Sequence, residues 1–516
     1  MLKKLIAALL FVCPLVFANW EGVLKKPSVT EIDGKEFYEI ATPENLAWFA
    51  TNVNKGNLGY NAILTEDIVV CDDLESTESC EWTPIGVDEK TDTLGFKGIF
   101  DGNGHKVSGI YIPAKKYGRS GFFGVMSAFS VVKNLTIVNS SIQGLLKSYS
   151  QTGGLVGVFN GDSIINCEFH GTVKDSVVGG LVGWAERYEY TTNRRDAEHG
   201  HTGIIMNSRN YGTVTSLDYC GGIIGASEGI QILSSENFGK VTGSYCGGIL
   251  GFSQNSYSTT IDSCINHATV STTATYGTSG GIVSEVYSGT PLTIRNTVND
   301  GNVYSGLDSI NGFVAGGFVG ATDGKLVIEN SVNNATVTRS SKHTQVGYAG
   351  GFIGHSAKGS VLISGSVNRG FVDGKRYSGG FVGFGAGGGK ILNSINEGNL
   401  GGEPNTITYN GGFIALAKDY SWTLDGLLNK GNVAGLYAGG IISYATGPVI
   451  ISNTVNEGNI EPNVNLNGNT VYMGGLVGYA YAKSKTRHYV KNVVNRGNLL
   501  PRGLRSSIYV GPAGAR

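Results

Sequence analysis

Charged residues are scarce in this sequence, and long apolar runs are rarer still. Lys, Arg, Asp and Glu make up 15% of the 516 residues, against roughly 25% in ordinary globular proteins. The basic residues form no stripe, which argues against nucleic acid or an acidic membrane surface as a partner. After the first 18 residues, no run reaches the roughly 20 apolar residues that a transmembrane helix needs. The cysteines lack the spacing of a zinc site, and we expect no cofactor.

The first 18 residues have the pattern of a signal peptide. Lys3 and Lys4 provide the positive start, and residues 5–12 form a short apolar segment. Val16-Phe17-Ala18 then places Val and Ala at positions −3 and −1 of a cleavage site. Removal of this segment leaves 37 basic and 40 acidic residues. We therefore expect a secreted or cell-surface protein.

Glycine is in excess, with 80 residues, about twice the usual share. Much of it lies in a repeat that begins with a Gly-Gly pair followed by two large apolar residues. Successive pairs are 26 to 42 residues apart and begin at Gly153, Gly179, Gly221, Gly247, Gly280, Gly316, Gly350, Gly379, Gly411, Gly439 and Gly474. Periods of this length are typical of solenoids, in which each repeat forms one coil.

Each repeat carries a second signature that ends in Asn-x-Gly-x-Val. The asparagine recurs at Asn210, Asn237, Asn266, Asn299, Asn333, Asn368, Asn396, Asn429, Asn456 and Asn495, whereas the first copy has Phe169. Because Asn and Gly tolerate left-handed backbone, we interpret Asn-x-Gly as a tight corner. Stacked coils would place these asparagines in an amide ladder, and the Val and Ile residues that follow Gly-Gly in a continuous core.

The shortest repeat divides into three strands, over residues 153–159, 163–170 and 171–178. The period-2 alternation and two-residue turns that mark hairpins are absent. The sequence therefore predicts an all-β protein, a right-handed parallel β-helix with about three strands per coil. We expect a small α+β cap at its N-terminus.

The cap is predicted from one amphipathic segment. Thr42 offers an N-cap before Pro43, and the helical spacing of apolar residues follows at Leu46, Phe49, Ala50 and Val53. We assign residues 1–18 to the signal peptide, 19–118 to the cap region and 119–516 to the β-helix.

The repeat resembles that of a known family. Gly153-Gly154-Leu155-Val156-Gly157 and Gly221-Gly222-Ile223-Ile224-Gly225 are similar to the GLUG repeats of bacterial secreted and surface proteins. Trp82-Thr83-Pro84-Ile85-Gly86 and the turn Asp101-Gly102-Asn103-Gly104-His105 resemble the N-terminal regions of such proteins. The resemblance implies a pectin-lyase-like β-helix outside the cell, and it implies no catalytic residues.

Insertions enter the repeat at two corners, and in solenoids such loops often form the binding side. The longest insertion runs over residues 184–203. We hypothesise that it binds ligand through stacking by Trp184, Tyr188 and Tyr190 and hydrogen bonds from Arg194, Arg195 and Asp196. Asp196, Glu198, His199 and His201 could instead hold a divalent metal ion, although a solvated loop explains them more simply. Further insertions precede Ala315, Ala349, Asn410 and Met473.

Two cysteine pairs are candidates for disulfides in an oxidising compartment. Cys71 and Cys80 bracket a local acidic loop. Cys220 and Cys246 occupy the same position in adjacent coils, about 4.8 Å apart, and would form a disulfide or a pair of stacked thiols.

A tyrosine stands two residues before seven of the Gly-Gly pairs. If these tyrosines faced outward, they would form an aromatic ladder able to contact sugar rings. Strand alternation instead places them on the side of the core column, so we expect core packing.

Two classes of function remain. One is a non-catalytic binding or adhesion protein for a polysaccharide or cell-surface ligand. The other is a polysaccharide lyase or glycoside hydrolase, which needs paired carboxylates in neighbouring coils. No repeat position holds a column of Asp or Glu, and this favours the binding protein over the enzyme. The sequence does not indicate an oligomeric state.

Overall fold

The chain forms a parallel β-solenoid. The computed structural model describes residues 22–72, 74, 81–87, 95–186, 202–273, 277–306, 313–339, 347–402, 407–463, 471–481, 487–500 and 506–507. Each strand pairs with its equivalent in the next coil, and among the described strands only the N-terminal hairpin is antiparallel. The predicted fold class is confirmed. Each coil has three sides, two of which are divided into short strands.

The first side follows the Gly-Gly pair and forms one 12-stranded sheet. Its strands are Phe123–Met126, Val156–Phe159, Val182–Ala185, Ile224–Ser227, Leu250–Ser253, Val283–Val286, Val319–Thr322, Ile353–Ser356, Val382–Gly385, Ile414–Ala417, Ile442–Ala445 and Val477–Ala480.

The second side carries the apolar pair and the recurring asparagine. Its first strands are Val131–Lys133, Ser163–Ile165, Ile204–Met206, Gln231–Leu233, Thr259–Asp262, Pro291–Arg295, Lys325–Glu329, Val361–Ser364, Gly389–Leu392 and Trp422–Asp425. Its second strands are Arg209–Asn210, Glu236–Asn237, Ile265–Asn266, Val298–Asn299, Val332–Asn333, Val367–Asn368, Ile395–Asn396 and Leu428–Asn429. Two coils have one unbroken strand here, Val449–Asn456 and Tyr489–Asn495.

The third side leads back to the next Gly-Gly pair. In the first coils this side has long strands. Thr136–Gln143 and Glu168–Gly179 continue onto it from the second side, and Thr213–Gly221 runs along its length. Its first short strands are Val241–Gly243, Val270–Thr272, Val303–Ser305, Val337–Arg339, Val372–Asp373, Val433–Ala434 and Ile460–Glu461. Its second short strands are Gln151–Gly153, Tyr245–Gly247, Thr278–Gly280, Phe313–Gly316, Gly347–Gly350, Lys375–Gly379, Tyr409–Gly411, Tyr437–Gly439, Tyr472–Gly474 and Ser506–Ser507.

The N-terminal region contains the helix Pro43–Asn54. Thr42 caps it as predicted, because its Oγ1 accepts a hydrogen bond from the Asn45 backbone N–H at 3.3 Å. The apolar face is buried, and Phe49 packs against other rings of the core. The strands of this region are Ser28–Ile32, Lys35–Ile40, Asn61–Leu64, Ile68–Val69, Ile99–Asp101, Lys106–Ser108, Tyr111–Ile112 and Arg119–Ser120.

Parallel pairing begins within this region. Asn61–Leu64 pairs with Ile99–Asp101, which in turn pairs with Val131–Lys133 of the first full coil. The solenoid ladders therefore extend ahead of residue 119. The division of the chain at residues 118/119 remains a prediction, and the signal peptide over residues 1–18 lies outside the described residues.

The recurring asparagines form the predicted amide ladder. Each Nδ2 from Asn210 to Asn456 donates to the Oδ1 of the asparagine in the next coil, at 2.7–3.0 Å. Asn210 to Asn456 are all fully buried, and Asn495 at the end of the ladder is half-buried. Because every amide both donates and accepts, burial leaves few polar groups unpaired.

Asn-x-Gly lies where the second side passes into the third, but the expected left-handed backbone is wrong, because neither its asparagines nor its glycines have a positive φ among the described residues. The left-handed residue lies three positions earlier, for example at Asn207 with φ 50° and Asn330 with φ 48°. The glycine of the motif is needed for space, since a Cβ on Gly239 would lie 1.9 Å from the Gly212 carbonyl oxygen of the preceding coil. Close stacking of coils, rather than backbone conformation, therefore explains this glycine.

One hydrophobic core runs from the helix to the last coils and contains the Val and Ile column that follows Gly-Gly. A second, smaller core lies in the C-terminal half, beneath the strands that precede Gly-Gly. It joins Val337, Val372 and Val433 to Ala349 and Ala438. No helix in the described part of the chain is long and apolar enough to cross a membrane.

Candidate functional site: an aromatic surface beside the Gly-Gly corner

The predicted recognition loop lies mostly outside the described part of the chain. Trp184 is half-buried in the strand Val182–Ala185. The remaining side chains named for this loop fall in residues 187–201, outside the described residues: Tyr188, Tyr190, Arg194, Arg195, Asp196, Glu198, His199 and His201. The ligand-binding and metal-binding hypotheses for them stay predictions. Among the residues that are described, no three His, Cys, Asp or Glu side chains are grouped to hold a metal ion.

The tyrosines before the Gly-Gly pairs lie at the surface, so the expectation that they pack in the core is wrong. Each is half-buried, and together they form a column of Tyr219, Tyr245, Tyr348, Tyr377, Tyr409, Tyr437 and Tyr472. The residue after each tyrosine points inward instead, and Cys246 and Ala438 are completely buried. The aromatic ladder is therefore available to a ligand.

The bend at Gly-Gly explains this orientation. Alternation predicts sides only within one continuous strand, and here one strand ends at Gly247 and the next begins at Leu250. The backbones of the strands before and after Gly-Gly lie close together. In one coil, Ser443 Oγ of the strand after Gly-Gly donates a hydrogen bond to the Tyr437 carbonyl oxygen of the strand before it, at 2.8 Å. A Cβ on Gly251, at the position equivalent to Ser443, would lie 2.7 Å from a carbonyl oxygen of the strand that it faces. The outer sides of both strands consequently meet at one surface.

A second column joins the tyrosines from the strand after Gly-Gly. It occupies the fifth position after the first glycine. Its members are the half-buried Trp184, His355, Phe384, Tyr444 and Tyr479 and the buried Phe252, which is 6% exposed. We call these two columns together the aromatic surface. It follows the solenoid axis in two parts, from the Gly179 coil to the Gly247 coil and from the Gly350 coil to the Gly474 coil. The two coils between them have no aromatic residue at these positions, where Thr278, Glu285, Val314 and Ala321 stand.

The rings of the aromatic surface stack along the axis. Tyr409 lies 4.8 Å from Tyr377 and 4.5 Å from Tyr437 between ring centroids, with interplanar angles of 12° and 13°. The columns meet edge to face, as between Tyr472 and Tyr479 at 5.0 Å and 75°. Stacking covers most ring faces, so the surface presents mainly ring edges and phenolic hydroxyl groups.

A carboxylate stands between the two parts of the aromatic surface, and two others lie near it. Glu285 replaces an aromatic residue in the second column, and Thr278 Oγ1 donates to its Oε1 at 2.9 Å. Burial raises the pKa of Glu285, and the nearby carboxylates of Asp323 and Asp218 raise it further. Sequence reasoning missed this group because the three residues come from different positions in different coils. A search across columns of adjacent coils, rather than along one column, would have found them.

The C-terminal half of the surface carries basic side chains. The Arg376 guanidinium lies 5.5 Å from the Tyr377 ring centroid and 5.8 Å from that of Tyr409. Burial raises the pKa of Tyr377 above its usual range, and it raises the pKa of Tyr437 to about 12. These phenols are therefore neutral at physiological pH and can donate hydrogen bonds.

A second aromatic stack lies at the middle residue of Asn-x-Gly. His170, Tyr211, Phe238 and His267 stack with centroid distances of 4.4, 4.7 and 4.4 Å. Carboxylates flank it, and His267 Nε2 lies 3.0 Å from Glu236. Farther along the same column, Glu397 pairs with Arg369 at 3.2 Å and with Lys430 at 3.1 Å. Alternating charge suits a parallel stack, since equivalent side chains in adjacent coils are neighbours.

The cysteines of adjacent coils are bonded. Cys220 and Cys246 form a disulfide with a Cα–Cα distance of 4.6 Å, next to Tyr219 and Tyr245 of the aromatic surface. Cys71 is also disulfide-bonded. Its predicted partner Cys80 lies outside the described residues, so the pairing of these two stays a prediction.

Comparisons with known proteins yield limited similarity. No family model matches the chain. A stretch of 152 residues is 30% identical to Halomucin from Haloquadratum walsbyi, and it covers 29% of this chain but 2% of that protein. The crystal structure of a candidate immunoglobulin A1 protease from Bacteroides ovatus matches 64% of this chain and 86% of its own, with 20% identity and a TM-score of 0.43. Similarity at this level carries no argument about activity.

Proposed function

We propose that this protein is a secreted or cell-surface β-solenoid of the GLUG-repeat kind that binds a carbohydrate or another cell-surface ligand without catalysis. The observation that carries the proposal is the aromatic surface. Monomeric proteins seldom expose long contiguous apolar rows without a binding role. Tyrosine and tryptophan are favoured at such sites because they combine large contact area with a polar group and few rotatable bonds.

The rigid scaffold supports this proposal. The tyrosine rings are held by their neighbours in adjacent coils, so little side-chain entropy is lost when a ligand binds. Most of the insertions adjoin this surface. The strand that leads to Tyr348 follows residues 340–346, and the strand that ends at Ala185 precedes residues 187–201.

The experiment is a binding screen with purified protein that lacks residues 1–18. Immobilised neutral and acidic polysaccharides, and intact cells, would be incubated with wild type and with a Tyr409→Ala, Tyr437→Ala double variant. We expect wild type to be retained on at least one of them and the variant to bind at least tenfold more weakly. Tyr149→Ala is the control, because Tyr149 is 68% exposed and lies outside the aromatic surface. Equal retention of all three proteins, or no retention of wild type, would contradict the proposal.

The loop over residues 184–203 is proposed as a second recognition element. Trp184 belongs to the aromatic surface, so the loop starts from it. Replacement of residues 185–202 by a short Gly-Ser turn should preserve the fold and weaken binding in the same screen. Undiminished binding would place the ligand on the tyrosine column alone.

Glu285 favours one alternative function, a polysaccharide hydrolase or lyase. A carboxyl group with a raised pKa in a partly apolar site, near other carboxylates, is the usual arrangement of a general acid. The test is the release of reducing or unsaturated sugar ends by the pure protein. Activity abolished by Glu285→Gln would establish the alternative, whereas no release from any polysaccharide retained in the screen would exclude it for that ligand.

A further inference from the structure

Arg376 differs from four other arginines of the described chain. Arg209, Arg295, Arg369 and Arg496 each lie within 2.7–3.3 Å of a carboxylate oxygen. Arg376 has no such partner among the described residues, and its Nε is buried without a hydrogen-bond acceptor. Buried donors in native proteins are nearly always paired. The Arg376 side chain as a whole is only half-buried, so a guanidinium without an acceptor at this place points to an anionic ligand.

The surroundings of Arg376 restrict where this ligand could lie. The guanidinium is held over the rings of Tyr377 and Tyr409, and the Arg376 charge also acts on Tyr348. A cation over an aromatic ring keeps its N–H edge free for other contacts. An anion bound to that edge would lie against the tyrosine column.

The tyrosine hydroxyls are the next available groups. The rings of Tyr377, Tyr409, Tyr437 and Tyr472 follow one another at 4.5–4.8 Å. In the described part of the chain, no hydrogen bond joins their hydroxyls to another protein group. A regular row of neutral hydroxyls suits a ligand that itself carries hydroxyls along its length. It does not suit a single sugar stacked on a ring face, because those faces are covered.

We propose that Arg376, with Tyr377 and Tyr409, forms a subsite for an acidic group of a linear glycan that lies along the tyrosine column. The acidic group is a carboxylate or a sulfate, both of which match the planar donor edge of a guanidinium. The proposal rests on the proposed function, since it specifies the ligand of the same surface.

The test compares charged glycans with matched neutral ones, using the chain without residues 1–18. Polygalacturonate and its methyl ester probe the carboxylate, and dextran sulfate and dextran probe the sulfate. We expect one charged member to bind and its neutral counterpart to bind at least tenfold more weakly. Arg376→Gln should weaken binding at least tenfold, and Arg376→Lys should recover part of the loss. Tyr377→Phe with Tyr409→Phe should weaken it several-fold while the rings stay stacked.

Arg369→Gln is the matched control, because Arg369 lies on the second side of the solenoid and pairs with Glu397. It should bind as wild type does. Undiminished binding of a charged glycan by Arg376→Gln would overturn the inference, and so would equal binding of charged and neutral glycans. In both cases the proposed function would survive, whereas failure of wild type to bind any glycan or cell would overturn both.

Discussion

Replacement of Asn333 by Ala tests whether the buried amide ladder holds the coils together. Asn333 Nδ2 donates to Asn368 Oδ1 at 2.8 Å and to the Ala335 carbonyl oxygen at 3.1 Å. Its Oδ1 accepts from Asn299 Nδ2 at 3.0 Å. The substitution therefore leaves Asn299 Nδ2 without its acceptor and Asn368 Oδ1 without its donor, both in a fully buried column. It also removes the donor to the Ala335 carbonyl oxygen.

A stranded buried polar group costs about 1–3 kcal/mol. For the two ladder amides alone, we expect a loss of about 4 kcal/mol in the free energy that protects this part of the solenoid. Such a loss makes amide exchange roughly 10³-fold faster. Because repeat proteins open locally, the cost should be concentrated in the mutated coil and its neighbours.

The assay is hydrogen exchange measured by mass spectrometry on peptides that cover Val332–Asn333 and Val367–Asn368. Asn334→Ala is the control, since Asn334 is exposed and its Nδ2 also donates a hydrogen bond, to Asp300 at 2.7 Å. The control should lose no more than about 0.5 kcal/mol. Equal protection of these peptides in the two variants would refute the reasoning.

Three further predictions follow from single features. Burial raises the pKa of Glu285 above 4.5, so the folded state binds this proton more tightly than the unfolded state does. The free energy of unfolding therefore falls as pH rises from that value, and Glu285→Gln should raise Tm more at pH 7 than at pH 4. The disulfide closes a 26-residue separation, so replacement of Cys220 and Cys246 by Ser should cost about 3 kcal/mol in urea unfolding. Gly380→Ala would place a Cβ 2.0 Å from a carbonyl oxygen of the next coil and should cost about 3 kcal/mol, whereas Gly383→Ala should cost less.

Each of these predictions has a control. Glu397→Gln should show the opposite pH dependence, because Lys430 and Arg369 lower the pKa of Glu397; the same sign in both variants would contradict the first. Reductant should destabilise wild type more than the double Cys variant, which keeps the disulfide of Cys71. Gly383 tolerates a side chain by analogy, since Ala415 and Ser443 occupy its position in other coils. Equal costs at Gly380 and Gly383 would contradict the third.

The repeat alone determined the stacking of the coils, the amide ladder and the Val and Ile core. The physical reason is that a parallel stack places equivalent residues side by side, so the period of the sequence translates directly into neighbours in space. Helix Pro43–Asn54 could also be predicted from the sequence, because its cap and its apolar spacing depend only on residues within one segment.

Only the tertiary structure decided the side on which the tyrosines lie. Alternation fails at the bend between Gly247 and Leu250, and the angle of that bend is set by backbone packing between two strands. The position of the left-handed residue, at Asn207 rather than Asn210, is likewise seen only in the structure. The grouping of Glu285 with other carboxylates, and the lack of one beside Arg376, depend on which columns meet across coils. A repeat predicts which residues share a column, but contacts between columns depend on how the coil is bent.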